Sequence, residues 1–167
     1  PGPRIYGHET AGTVVGTGSA VRNVADGDRV VVFHHIPCME CFFCRRNVYA
    51  QCETYKRVGV TAGFEPAGGG FAEYVRVMDW IVERGVEKIP TGVPYDRACL
   101  VEPLNTCLKA VVRCDPHPDD IVLVIGQGPI GLLFTMLLKQ RGVRTFATDA
   151  IPARRSISAS CPCISPA

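Results

Sequence analysis

Ile121-Val122-Leu123-Val124-Ile125-Gly126-Gln127-Gly128-Pro129-Ile130-Gly131 is an uninterrupted apolar run that ends in a glycine-rich turn. A run of β-branched and aliphatic residues bounded by glycine predicts a parallel strand buried on both faces. The apolar stretch Leu132 to Leu138 then predicts a helix, and Val143 to Thr148 a second strand that ends at Asp149. Together they make a βαβ unit. Asp149 lies 18 positions after Gly131, near the roughly 20 expected between the turn and the acid of a dinucleotide-binding unit. Gly126 permits the tight turn, Gly128 admits a pyrophosphate, Gly131 allows close helix–strand packing, and the helix N-terminus favours negative charge. An acid at Asp149 accepts hydrogen bonds from a ribose 2′-hydroxyl and repels a 2′-phosphate, which favours NAD over NADP. An ordinary glycine turn followed by a surface Asp is the plainer alternative.

Upstream, the first two thirds read as β-rich. Thr13 to Val15, Arg29 to Phe33 and Phe71 to Val77 are strand-like runs, punctuated by Gly16-Thr17-Gly18, Asp26-Gly27-Asp28 and Gly68-Gly69-Gly70. Short strands between such turns predict a barrel or sandwich. Ala98, Val101, Leu104, Leu108, Val111 and Val112 recur at helical spacing, with Pro103 near the helix start or a bend. The join between the two parts is expected over 113–120, where Pro116 and Pro118 bracket His117. The stretch from Ser156 to Ala167 is rich in Ser, Pro and Cys, carries no helical period, and does not continue the βαβ domain.

Cys38, Cys41, Cys44 and Cys52 follow the spacing C-x2-C-x2-C-x7-C. Thiolates two residues apart can wrap a tetrahedral zinc ion without stretching the backbone. Such a closed site has no position for substrate, so its role is structural. A cluster of buried free thiols and a disulfide network are the alternatives. Successive three-residue steps suit neither bridge geometry nor chance clustering.

Composition bounds the rest. With 47% hydrophobic and 20% charged residues in 167, the chain can bury a core and is not disordered. A net charge of +2 without a basic run gives no argument for nucleic acid. The longest apolar stretch, Ile130 to Leu138, is too short to span a bilayer. Nine cysteines, an odd number with no repeating framework, point to a reducing, cytoplasmic setting. The chain opens on Pro1 rather than Met, so its first residue is not expected to be a natural N-terminus.

Gly7-His8-Glu9-Thr10-Ala11-Gly12 sets a His beside a carboxylate, and Val101-Glu102-Pro103 sets an acid at a helix head. Alone, the first is as readily a polar pair as a ligand set, and the helix dipole accounts for the second. In combination the motifs GHETAG, GDRV, the four-cysteine lobe, GGGFAEY, VEP and GQGPIG resemble, in order, the zinc-dependent medium-chain dehydrogenase (alcohol dehydrogenase) family, from about Tyr6 to Arg154. Glu102 and His35 resemble the polyol- and threonine-dehydrogenase-like members of that family.

The resemblance implies a mixed β and α/β fold. A GroES-like β-barrel catalytic domain over 1–113, N-terminally truncated and carrying a structural zinc lobe at 38–52, would precede a partial Rossmann domain over 114–154. A non-matching tail would follow over 155–167. By motif, His8, Glu9 and Glu102 match ligands of a catalytic zinc, and Cys38, Cys41, Cys44 and Cys52 those of the structural zinc. His35, three positions before the first lobe cysteine, matches a substrate-side histidine, although a surface His is an equal reading. Gly126, Gly128, Pro129, Ile130, Gly131, Asp149 and Arg154 match the cofactor-binding positions, Arg154 flanking the adenosine. The family's upstream Cys ligand has no counterpart among the seven residues before His8. The implied cofactors are Zn2+ and NAD, and the implied partner is a small-molecule alcohol. Full-length relatives are expected to be homo-oligomers.

Two functions follow. One is hydride transfer from a polyol, secondary alcohol or L-threonine-like substrate to NAD. The other is a zinc-stabilised fragment with no turnover. A zinc-free quinone-reductase-like enzyme of the same fold is opposed by the cysteine lobe and His8-Glu9. As a fragment, the chain by itself is expected to have little or no activity.

Overall fold

The computed structural model describes residues 5–57 and 68–160, which fall into two compact units, Pro1–Glu102 and Pro103–Ala167. In the first, β1 (Thr10–Thr13), β2 (Arg29–Val32) and β3 (Val86–Lys88) form an antiparallel sheet in the order β1-β2-β3. Thr10 pairs with Val32, and Val30 with Lys88. Strand alternation divides the core. Val30 and Val32 pack with Ile36 and Ile81 on one face, while Val31 packs with Ile89 and Ala98 on the other. Short helices α1 (Glu53–Arg57), α2 (Asp79–Gly85) and α3 (Tyr95–Ala98) flank this sheet in sequence. Helix α2 places Ile81 fully out of solvent.

The expected strand over Phe71–Val77 does not form. Among the described residues only its leading edge is paired, through the N–H groups of Gly69, Gly70 and Phe71, which donate to the carbonyls of Ile5, Gly7 and Tyr6 at 2.8–2.9 Å. Beyond it, residues 72–77 line an open cavity of about 760 Å³ with Val14, Val30 and Val32, and Phe71 and Tyr74 project into solvent.

The second unit carries most of α4 (Val101–Cys114), then β4 (Ile121–Ile125), α5 (Pro129–Gln140), β5 (Arg144–Thr148) and α6 (Pro152–Ser160). Helix α4 starts at Val101, so Pro103 sits in the first turn, where a missing N–H costs no intrahelical bond. The sequence assigns this helix to the barrel domain. Its Val111 instead packs with Leu138 and Val143 of the second unit.

Strands β4 and β5 are parallel, from Ile121 opposite Arg144 to Ile125 opposite Thr148, with α5 as the crossover. Burial on both faces of β4 is not observed. Val122 and Val124 join the core, whereas Ile121, Leu123 and Ile125 are 57–80% exposed. A two-stranded sheet with one crossover helix covers one face only. The segment after Ile151 also differs from expectation, because α6 runs through Ser160 despite the absent apolar period. Pro152 at its start has the φ a first helical residue needs. The rest of the expected tail, 161–167, lies outside the described residues. No helix among those described is long and apolar enough to cross a membrane.

Candidate metal and dinucleotide sites

The four lobe cysteines converge. Their sulfurs lie within 4.8 Å of one another, with Cys38 Sγ 3.9 Å from Cys44 Sγ and 3.7 Å from Cys52 Sγ. All four are free thiols. A tetrahedral ion with 2.3 Å metal–sulfur bonds needs sulfur–sulfur edges of about 3.8 Å, so the set fits zinc. Local backbone builds this geometry. Met39 and Asn47 take positive φ angles of 67° and 59°, and single 3₁₀ turns at Cys44–Arg46 and Tyr49–Gln51 bring Cys52 back to the ladder.

Backbone N–H groups already point at sulfur: Cys38 N–H at Cys52 Sγ, Cys41 N–H at Cys38 Sγ, and Cys44 N–H at Cys41 Sγ, at 3.4–3.5 Å. The thiols respond unequally. Burial first, then the Cys41 thiol, pushes Cys44 up to about 12. Burial opposes ionisation at Cys52 as well, yet the N–H groups of Cys38 and Tyr55 and the neighbouring sulfurs bring it down to about 6. The Cys44 N–H leads the lowering at Cys41. Thiolates this close repel one another, and a divalent cation at their centre is what lets all four ionise.

The second cluster joins residues far apart in sequence. His8, Glu9 and Glu102 each offer a ligand atom, all within 4.8 Å, and His8 Nε2 lies 3.9 Å from Glu102 Oε2. Gly7 prepares this. Its φ of +107°, and the 3.0 Å that a Cβ would have to Phe71 N, leave room for glycine alone as the chain turns into His8. Glu102 comes from the first turn of α4. One imidazole and two carboxylates leave a tetrahedral metal an open position, as catalytic zinc requires.

Behind His8 stands a column of rings. His34 lies 4.8 Å from His8 and 3.8 Å from His35 between centroids, and His35 stacks on Tyr55 at 4.5 Å with 19° between planes. His34 is 2% exposed. Burial, then the adjacent His35 and His8, push it down to about 3, so it is neutral at physiological pH. Sequence reasoning singled out His35 and passed over His34 and Tyr55. A signal for His34 existed: Val30, Val32, His34 and Ile36 share one parity, and the other three form a buried cluster.

In the second unit Gly126 has φ +95°, and a Cβ on Gly131 would collide with the Gly126 carbonyl. Gly128 caps α5 and Pro129 opens it, with Ile130 next in its first turn. Gln127, 2% exposed, folds beneath the loop. Its Nε2 donates to Gly126 O at 3.1 Å, and its Oε1 accepts from Thr135 Oγ1 at 3.3 Å. Asp149 accepts the N–H of Gln127 at Oδ2 and of Ile151 at Oδ1, both at 2.7 Å, with Arg154 Nη1 3.7 Å away. Those contacts, the Ile151 N–H foremost, hold its carboxyl below the usual range. Each oxygen keeps a further lone pair.

Residues 1–90 match the alcohol dehydrogenase GroES-like domain. The chain is 38% identical to D-arabinitol dehydrogenase 1 of Uromyces fabae over 143 residues, covering 85% of this chain and 38% of that one. It is 39% identical to L-threonine 3-dehydrogenase of Pyrococcus abyssi over 140 residues, covering 84% and 37%. The structure of acetophenone reductase from Geotrichum candidum NBRC 4597 in complex with NAD superposes with a TM-score of 0.78 at 26% identity, covering 94% of this chain and 45% of that one. The chain therefore spans well under half the length of the relatives it matches.

Proposed function

Because the chain belongs to the zinc-dependent medium-chain dehydrogenases, through their alcohol dehydrogenase GroES-like domain, we propose that it forms the metal-holding and dinucleotide-binding parts of an enzyme that transfers a hydride from an alcohol to NAD. The observation that carries this reading is the meeting of His8 and Glu102, 3.9 Å apart. A helix-head acid and a loop histidine have no structural need to meet beside Glu9.

His8, Glu9 and Glu102 would hold a catalytic zinc, and Cys38, Cys41, Cys44 and Cys52 a structural one. A zinc ion held in the first site would supply Lewis acidity that lowers the pKa of an alcohol hydroxyl. Both carboxylates add negative charge that tempers this acidity, and His8 contributes a neutral donor. His35 is the substrate-side histidine of this reading. In the second unit, the turn from Gly126 to Gly131 lets a pyrophosphate approach the N-terminus of α5, with Gly128, Pro129 and Ile130 in the contacting stretch. The spare lone pairs of Asp149 accept ribose hydroxyls, and its charge repels a 2′-phosphate. Arg154, already beside Asp149, flanks the adenosine.

The substrate class is a polyol, secondary alcohol or L-threonine-like 3-hydroxy compound, supported by the arabinitol and threonine relatives. The free thiols of the seven described cysteines support a reducing cytoplasmic setting, and we place the protein there.

The test is NADH formation by the intact protein with zinc, NAD and a panel of polyols, secondary alcohols and L-threonine. Turnover on one class supports the reading. A folded, zinc-containing protein inert toward every member, and toward NAD in a binding assay, leaves the alternative of a zinc-stabilised chain without turnover.

A further inference from the structure

We infer that His34 and Tyr55 are positioning residues for the His8–Glu9–Glu102 cluster, acting through the ring column His8–His34–His35–Tyr55. The inference rests on the metal-holding role proposed for that cluster. His8 sits on the loop that leads into β1, and its side chain is 37% exposed. An exposed loop imidazole samples several rotamers, and each weakens a metal site that needs one.

The column removes that freedom from one side. His34 is held by the strand that feeds it: β2 ends at Val32, and the next N–H, that of Phe33, donates to Gly85 O at 2.7 Å. Buried to 2% exposure, the His34 ring is a fixed wall 4.8 Å behind His8. A wall needs backing. His35 supplies it at 3.8 Å, and Tyr55 closes the far end in a near-parallel stack at 4.5 Å.

Tyr55 also belongs to α1, which begins directly after the buried Cys52. The lobe thus fixes the last ring of a column whose first ring is a metal ligand. Residues that orient metal ligands typically shift metal affinity 10- to 100-fold when altered. Here the contact that faces His8 is a ring 4.8 Å away between centroids, so ring shape is the property to vary.

The test uses the intact protein with the lobe zinc retained. Cobalt(II) is titrated, and both stoichiometry and the visible absorption of the added ion are recorded. The wild type takes up one further ion, and His8→Ala abolishes that uptake. His34→Phe and Tyr55→Phe keep a flat ring and bind within about threefold of wild type, with an unchanged band. His34→Leu and Tyr55→Leu weaken uptake roughly tenfold or more and shift the band, while lobe zinc and Tm stay within error. Tyr55→Leu lies at the half-buried end of the column and guards against a His34 variant that fails to fold.

Leucine variants that bind cobalt as the wild type does, with the same band, overturn the inference and leave the metal site standing. Loss of affinity in the Phe variants equal to that in the Leu variants also overturns it. No further ion in the wild type overturns the metal reading of the cluster, and the inference with it.

Discussion

The Asp149 carboxylate accepts the backbone N–H of Gln127 at 2.7 Å, joining the end of β5 to the middle of the glycine-rich turn. The same carboxylate takes the Ile151 N–H, so one side chain fixes both the turn and the start of α6. Its carboxyl is held below the ordinary range, by the Ile151 and Gln127 N–H groups first and Arg154 after them. A depressed folded-state pKa means that the unfolded chain binds the proton more readily. Stability from Asp149 is therefore fully present above the unfolded value of about 3.9 and lost as pH falls through the lower folded value. In acid unfolding followed by circular dichroism, Asp149→Asn should flatten the profile of the second unit in that window and leave it parallel to wild type above about pH 5.

Gly131 makes a different demand on the same turn. Its α-carbon faces the Gly126 carbonyl so closely that any Cβ collides with backbone, which cannot swing aside as a side chain would. Gly131→Ala should destabilise by about 1–3 kcal/mol, the usual cost of overpacking, and weaken NAD binding as the turn shifts. Gly142, at positive φ but with open space around its missing Cβ, is the control. Gly142→Ala should cost about 1 kcal/mol from backbone strain and leave NAD affinity unchanged. Urea titration with a parallel NAD-binding measurement separates the two.

What the sequence made legible was which residues with a fixed spacing converge. The cysteine ladder, the glycine turn with Asp149 and the pairing of His8 with a distant acid each combine residue types that have few physical uses together. Regular structure was less legible where it depends on a partner. Phe71–Val77 has strand composition yet forms no strand, because a strand is defined by its neighbour and, among the described residues, only 69–71 find one. The apolar β4 looked doubly buried, but sequence cannot say which face is covered, and here Ile121, Leu123 and Ile125 are open. Helix α6 shows the converse, a short helix with no apolar stripe. His34 was missed because two adjacent histidines invite one choice by motif, whereas strand parity selects the other.

The lobe should behave as a closed structural site. Cys52 is fully buried and accepts the Cys38 N–H, so Cys52→Ser removes a ligand at the point where the loop returns. Metal analysis should show one zinc fewer per chain. Tm should drop by roughly 5 °C or more, because structural-zinc binding energy is folding energy. Cys99 and Cys114 lie outside the cluster, and Ser at either position should leave zinc content unchanged. Equal zinc content in Cys52→Ser and wild type would refute the four-sulfur site.

Glu102 separates the metal role from the helical one. It stands in the first turn of α4, where a carboxylate interacts favourably with the helix dipole by about 0.3–1 kcal/mol, and it also lies 3.9 Å from His8 Nε2. Removing the charge costs the dipole contribution in any substitution, so a loss of stability in any one variant cannot discriminate. Metal chemistry can. Glu102→Gln keeps shape and loses the anionic donor, Glu102→Ala loses both, and Glu102→Cys replaces one zinc ligand by another. If Glu102 is a ligand, Gln and Ala should lose more stability than Cys, because a metal held by the folded chain stabilises it. In the intact protein, Gln and Ala should abolish alcohol-dependent NADH formation and release the non-lobe zinc. Cys should retain that zinc and part of the turnover. If the dipole is all that matters, the three variants will share one small loss of stability and keep wild-type zinc and turnover.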